Sequence, residues 1–187
     1  MKISATRARI LDVASRLFYE QGYNSTGINQ IIDEADIARG SLYNHFPSKR
    51  DLLTAYVQQA EELWFAELEQ FTGPLTDPKD RLLALFDYRI ARQLGSGFGG
   101  CQFTKIGVEV AKDDLAAFEL LRHQKERIKH YIKDLLTKID VSGIVSKELL
   151  ANNFFLIMEG ATVSAREYKD AAPLYEAKKI AEELLNI

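Results

Sequence analysis

Apolar residues along this chain recur at three- and four-residue spacing almost from end to end, and no stretch alternates polar with apolar for long enough to read as a strand. That periodicity predicts an all-α fold, because a side chain returns to one face of a helix every 3.6 residues. Ile10, Val13, Ala14, Leu17 and Phe18 mark the inner face of a first helix, with Gly22 at its C-terminal stop. A short helix over 27–35 follows, capped by Thr26 and turning Ile28, Ile31 and Ile32 inward. Asp36 lies in a tight turn, and a second short helix over 38–45 is closed by Pro47. Ser48, with Asp51 three residues on, reads as a capping box that opens a long helix through Leu52, Tyr56, Ala60, Trp64, Leu68 and Phe71.

The second two-thirds of the chain continues in the same manner. Asp77 before Pro78 is a helix start, and Leu82, Phe86, Ile90 and Leu94 line that helix. A glycine-rich break over 95–100 precedes a helix over 100–110 and a longer one over 113–139, which is wholly polar from Arg122 to Arg127. The segment 147–168 differs in character: Leu149, Leu150 and the run Phe154 to Met158 leave little polar face, which predicts burial on most sides, in part against a second copy. Small residues four apart, Gly160 with Ser164 and Ala161 with Ala165, would admit a close helix. A last helix over 174–185 aligns Leu174, Ala177, Ile180, Ala181, Leu184 and Leu185. About nine helices are expected.

Composition narrows the class. An apolar fraction of 47% and a charged fraction of 27% exclude a disordered or collagen-like chain, and 187 residues are enough for a proper core. One cysteine cannot form an internal disulfide, and neither a signal pattern nor a membrane span is visible, which points to the cytoplasm. A net charge of −3 argues at first against a nucleic-acid partner. The average hides a division: residues 1–50 carry seven basic and five acidic side chains, including Lys2, and the remainder carries 17 basic and 22 acidic.

Two short helices joined by a tight turn are the skeleton of a helix-turn-helix. In Arg39-Gly40-Ser41-Leu42-Tyr43-Asn44-His45-Phe46, Leu42 and Phe46 face inward, and Arg39, Ser41, Tyr43, Asn44 and His45 are left outside. The longer string is more specific. Thr6-Arg7, Arg9 to Ala14, Leu17-Phe18 and Gln21-Gly22-Tyr23, then Thr26 to Ile32 with Ala35, then Gly40 through Leu53, resemble the DNA-binding domain of the TetR family of transcriptional regulators. The likeness is close over about residues 6–57. Asp36 stands where the family often has Gly, and Ala38 where it often has a capping Ser or Thr; loss of such a cap costs about 1 kcal/mol.

The resemblance implies an N-terminal DNA-binding domain over 1–47 and a dimerisation and ligand-binding domain over 48–187. It implies a homodimer on a near-palindromic double-stranded operator, released by a small-molecule effector, with repression the expected sign. Thr26, Tyr43, His45 and Lys49 match positions that touch phosphate, and Arg39, Gly40, Ser41 and Asn44 match positions near base edges. The ligand pocket is expected among the helices after residue 77. Phe86, Ile90, Phe103, Leu120, Phe154, Met158 and Thr162 are its apolar or small candidates, and Gln93, Glu109 and Glu159 its polar ones. Buried Glu159 needs a partner, for which a cationic ligand or Arg166 would serve.

Gly100-Cys101-Gln102-Phe103-Thr104-Lys105 through Glu109-Val110 is similar to the opening of the sixth helix in one TetR subgroup, some members of which sense electrophiles or oxidants through the cysteine. Cys101 at a helix N-terminus, with Lys105 one turn on, has the setting of a reactive thiol, and the bland alternative is a packing residue. Two other patterns are discounted. Gly95 to Gly100 fits G-x-G-x-x-G but follows a helix and not a strand, so no dinucleotide cofactor is expected. His123 and His130 are too few and too far apart for a metal site. The competing function class is an all-helical thiol-dependent enzyme using Cys101 with Glu109 or His123, against which no nucleophile, base and orienting group are seen together.

Overall fold

Helix ends in this chain are set by local chemistry that the sequence spells out. The computed structural model describes residues 4–140 and 146–186; Lys2 and the outer ends of the two expected domains lie outside them. Ser4 caps α1 (Ala5–Glu20) by accepting from the Arg7 amide at 3.1 Å. Gly22, at φ +98°, follows the end of α1 in a conformation that suits glycine.

The cap of α2 (Ile28–Glu34) differs from expectation. Gly27 holds that position without a side-chain bond. Thr26 turns back: its hydroxyl donates to the Gly22 carbonyl at 2.7 Å and accepts from Gln21 Nε2 at 3.1 Å. Thr26 is buried, and a buried hydroxyl must be bonded where it lies. The turn after α2 is a Schellman motif. Ile37 N–H donates to Ile32 O, Asp36 N–H to Asp33 O, and Asp36 takes φ 49°, the left-handed conformation that Asp tolerates better than most residues.

α3 (Arg39–His45) starts at Ala38 with no side-chain cap. α4 (Lys49–Thr72) starts with the capping half of the expected box: Ser48 Oγ accepts from the Asp51 amide at 3.1 Å, and the same hydroxyl donates to Asp51 Oδ2 at 2.6 Å. Asp77 Oδ1 accepts from the amides of Lys79 and Asp80 at the head of α5 (Pro78–Gly95). Then come α6 (Gln102–Glu109), α7 (Leu115–Thr137), α8 (Lys147–Tyr168) and α9 (Ala172–Leu184). Nine helices and no strand occur among the described residues, and none of those helices is long and apolar enough to cross a membrane.

The chain groups into two compact units. The first runs through Glu62 and includes Gln102–Leu121, so α6 and the first turns of α7 pack with α1, α2, α3 and the first half of α4. Its interior is built on Ile10, Leu17, Phe18, Ile31, Leu42, Phe46, Leu52 and Leu53, all buried. The second unit takes Leu63–Cys101 and the chain from Arg122 on. In it α5, α8 and α9 pack together around Leu82, Leu85, Phe86, Phe154, Met158 and Leu174, with Trp64, Ile128 and Ile132 in the same cluster. Ile180 is corrected from an inward to an outward position. Leu174, Ala177 and Ala181 hold the inner face of α9, and Ile180, on the flank of that face, is exposed.

Candidate functional site

Four residues of α3 show why a seven-residue helix can present polar groups at all. Leu42 is fully buried and Phe46 nearly so, while Arg39, Gly40, Tyr43 and Asn44 are exposed and Ser41 and His45 half-buried. Two apolar anchors four apart hold the helix by one side, and the rest of its surface is free for a ligand. Arg39 Nη2 donates to Asn29 Oδ1 at 2.7 Å, which steadies the guanidinium at the start of the helix. Ser4 Oγ lies 3.4 Å from His45 Nε2, and the Arg7 guanidinium sits 4.8 Å from the centroid of the Phe46 ring. Thr26 is buried and bonded within its own turn, as described above. The Lys49 ammonium lies 4.3 Å from the centroid of the Tyr23 ring. Partial burial there pulls its pKa below the usual lysine value, and the Glu109 carboxylate opposes the shift.

The first unit also shows what α6 holds. Glu109 Oε2 accepts from the Asn24 amide at 2.7 Å, and Asn24 Nδ2 donates to the Glu109 carbonyl at 2.8 Å. Gly22 takes φ +98°, which favours glycine, and a Cβ there would stand 2.8 Å from Glu109 Oε1, so a larger residue would also have to displace that carboxylate. Lys105 Nζ donates to the Tyr19 carbonyl and lies 4.6 Å from the centre of that ring. Arg50 forks onto Asp114, Nε to Oδ2 at 2.6 Å and Nη2 to Oδ1 at 2.9 Å, and donates to Thr54 through Nη1. The Arg50 bond, with the Ala117 amide, holds the Asp114 carboxyl below the ordinary carboxylate value. Two side chains of α6 and Asp114, just before α7, therefore grip the last turn of α1, the loop after it and the start of α4.

The expected ligand residues divide between the units. Phe103, Glu109 and Leu120 belong to the first, with Phe103 buried and the other two half-buried. Phe86, Ile90, Gln93, Cys101, Phe154, Met158, Glu159 and Thr162 belong to the second, and all but Glu159 are buried. Gln93 Oε1 accepts from the Gly100 amide, and Thr162 donates to Met158 O within its own helix. Glu159 does have partners, but not Arg166: its Oε1 meets Arg89 Nη2 at 3.3 Å and its Oε2 bonds Lys125 Nζ. Arg166 runs past Gly100, where a Cβ would stand 2.6 Å from Arg166 Cδ. The cation at the thiol is Lys125, with Nζ 3.5 Å from Cys101 Sγ, while Lys105 reaches Tyr19.

Arg89, Lys125, Trp64 and Gln124 are not among the site residues that the sequence predicts. Gln124 interrupts an apolar stripe between Leu121 and Ile128, and Arg89 follows Leu82, Leu85 and Phe86 on the buried face of α5; a polar residue on an apolar face is the available signal. A surface groove of about 430 Å³ lies elsewhere in the second unit, between Glu67, Gln70, Phe71, Tyr88, Ala91 and Arg92. None of the expected ligand residues lines it. Burial pushes the Tyr88 phenol up to about 12, with Arg92 opposing. Among the described residues no His, Cys, Asp and Glu cluster could hold a metal ion.

Comparison with known proteins agrees with this geometry. Residues 10–56, which include α2, α3 and the turn between them, match the family model of bacterial regulatory proteins of the tetR family. The chain is 26% identical over 192 residues to the transcriptional repressor KstR2 of Mycolicibacterium smegmatis, covering 98% of this chain and 89% of the relative. It is also 26% identical over 196 residues to the transcriptional regulator LmrA of Bacillus subtilis, covering 99% of both. A TetR-family transcriptional regulator from Streptomyces coelicolor shares the fold, with a TM-score of 0.84 at 23% identity, over 97% of this chain and 91% of that one. With the helix-turn-helix built as the sequence requires, residues 10–56 match the tetR-family regulatory domain, and the chain as a whole is similar along nearly its full length to transcriptional regulators that share this all-helical fold.

Proposed function

We propose that the protein is a ligand-responsive repressor, a homodimer that binds a near-palindromic operator in the cytoplasm and is released by a small molecule. Residues 1–47 read DNA, and residues 48–187 dimerise and sense. The exposed polar row on α3, held from behind by Leu42 and Phe46, carries this reading. Arg39, Gly40, Ser41 and Asn44 face base edges, and Tyr43, His45 and Lys49 face phosphates. Thr26 serves from inside, since its bonds to Gly22 and Gln21 set the start of α2. A second copy is called for by α8, where Leu149, Leu156 and Val163 form an exposed apolar stripe at seven-residue spacing beside exposed Gly160. Within the first unit α6 is tied to the head, its Glu109 and Lys105 holding Asn24 and Tyr19.

A gel shift on the intergenic DNA beside the gene tests the reading. Site-specific, salt-sensitive binding is expected. Absence of any such binding over the neighbouring DNA would sink it.

Cys101 supports a second, narrower reading as a sensor of electrophiles, because Lys125 Nζ lies 3.5 Å from its sulfur and a nearby ammonium favours thiolate. Treatment with a mild electrophile is expected to release wild-type protein from DNA and to leave Cys101→Ser bound. Equal release of both reduces Cys101 to a packing residue.

A further inference from the structure

The second unit sets one buried and one half-buried cation on the two oxygens of a single carboxylate and leaves buried donors without acceptors. Arg89 is 3% exposed; its Nη2 meets Glu159 Oε1 at 3.3 Å, and its Nε is buried with no acceptor. Its guanidinium carbon lies 5.5 Å from the centroid of Trp64, whose Nε1 is likewise buried and unbonded. Lys125 bonds the other oxygen of Glu159. Gln124, fully buried, has no partner at either amide atom. One carboxylate thus serves two cations, and three nitrogen donors, Arg89 Nε, Trp64 Nε1 and Gln124 Nε2, have no acceptor. Native interiors satisfy nearly all such groups, so donors left over beside paired charges point to an acceptor that arrives from outside.

We propose that Arg89, Lys125 and Trp64 form the anion-binding end of the effector site, and that the effector is an amphiphilic organic anion: one carboxylate or similarly acidic head on an apolar body. This rests on the reading of the later helices as a ligand sensor. The acidic head accepts from Arg89 Nε and Trp64 Nε1 and shares Lys125 with Glu159. Phe86, Phe154 and Met158, in the same core cluster as Trp64, offer the apolar body its surface. The sequence alone offers Glu159 either a cationic ligand or Arg166 as its partner. The structure leaves no need of a cationic ligand, because Glu159 is already paired twice, and what remains in excess is positive.

Trp64 is the single tryptophan of the chain, so its emission reports on the site. Octanoate, octanol and octylammonium share a tail and differ in head charge. Octanoate is expected to shift Trp64 emission saturably, with the other two at least about tenfold weaker, the ratio that one well-placed charge contact supplies. Glu159→Gln removes the competing carboxylate and is expected to tighten octanoate roughly tenfold. Arg89→Met is expected to abolish the shift. If Arg89→Met fails to fold by circular dichroism, Glu159→Gln decides alone, its side chain being 21% exposed. Octylammonium binding as well as octanoate, no saturable shift with any probe, or weaker octanoate binding by Glu159→Gln overturns the proposal. A gel shift on the same protein separates the two failures. Specific DNA binding without an octanoate response overturns the anion site alone, and absence of specific DNA binding overturns the regulator reading.

Discussion

The outer face of α3 and the Arg89–Glu159–Lys125 triad both hold polar groups for a partner, and they do so under opposite conditions. On α3 the groups stand in water, which satisfies them until a partner arrives, so two apolar anchors and a seven-residue helix suffice. In the second unit the groups are largely out of water, and each must be held by residues from other helices: Arg89 from α5, Lys125 from α7, Glu159 from α8. The first arrangement is local in the chain. The second joins positions up to 70 residues apart. A surface that reads DNA can therefore change one side chain at a time, whereas a buried site changes as a set.

The separation of anchor from reader on α3 gives the largest expected effect. Leu42→Ala empties a fully buried position and is expected to lower stability by about 3 kcal/mol in chemical denaturation, as large-to-small core changes do. Arg39→Ala, at an exposed position, is expected to change stability by less than about 0.5 kcal/mol. Comparable losses for both would break the distinction. On DNA the order is inverted. Arg39→Ala is expected to alter base preference by about 1–3 kcal/mol at the position it reads. Tyr43→Ala is expected to weaken binding to every operator variant alike. Uniform weakening by both in a competition gel shift would show that Arg39 does not read bases.

The smallest effect sharpens the contrast between exposed and partly buried charge. Arg50 holds Asp114 protonated less readily in the folded chain than the ordinary value near 3.8, so the pair stabilises the fold above that pH. As pH falls below it, the carboxylate protonates in the folded state and the contribution is lost. Wild type is expected to exceed Asp114→Asn by about 1 kcal/mol near neutrality, and thermal unfolding curves of the two are expected to converge in strong acid. A difference that persists unchanged in acid would show that the pair acts through packing and not charge.

Legibility followed the range of the interaction. Asp77 with Pro78, Ser48 with Asp51, and Asp36 in the turn all acted within four residues, and the structure shows each as the sequence predicts. Thr26 was read as a cap and instead bonds back to Gly22, because burial of its hydroxyl outweighed the local preference. Lys105 was assigned to Cys101, which is near in sequence, while Lys125, which is distant, stands at the sulfur. Glu159 was recognised as a carboxylate needing a partner, but which cation served it depended on how α5, α7 and α8 pack. The polar run from Arg122 to Arg127 divides by its surroundings: Gln124 is buried, Lys125 is paired and Arg127 lies 4.1 Å from the centroid of the Phe65 ring.

The amino-acid sequence by itself determined the helical class, most helix ends, the helix-turn-helix and the side chains that α3 turns outward. Periodicity, caps and turns act over a few residues, where order along the chain is order in space. Only the tertiary structure decided that α6 packs with the head, that Glu109 holds Asn24, and that two cations share one carboxylate in the second unit. Those pairings form between helices distant in the chain, and burial makes each depend on every neighbour that excludes water from it.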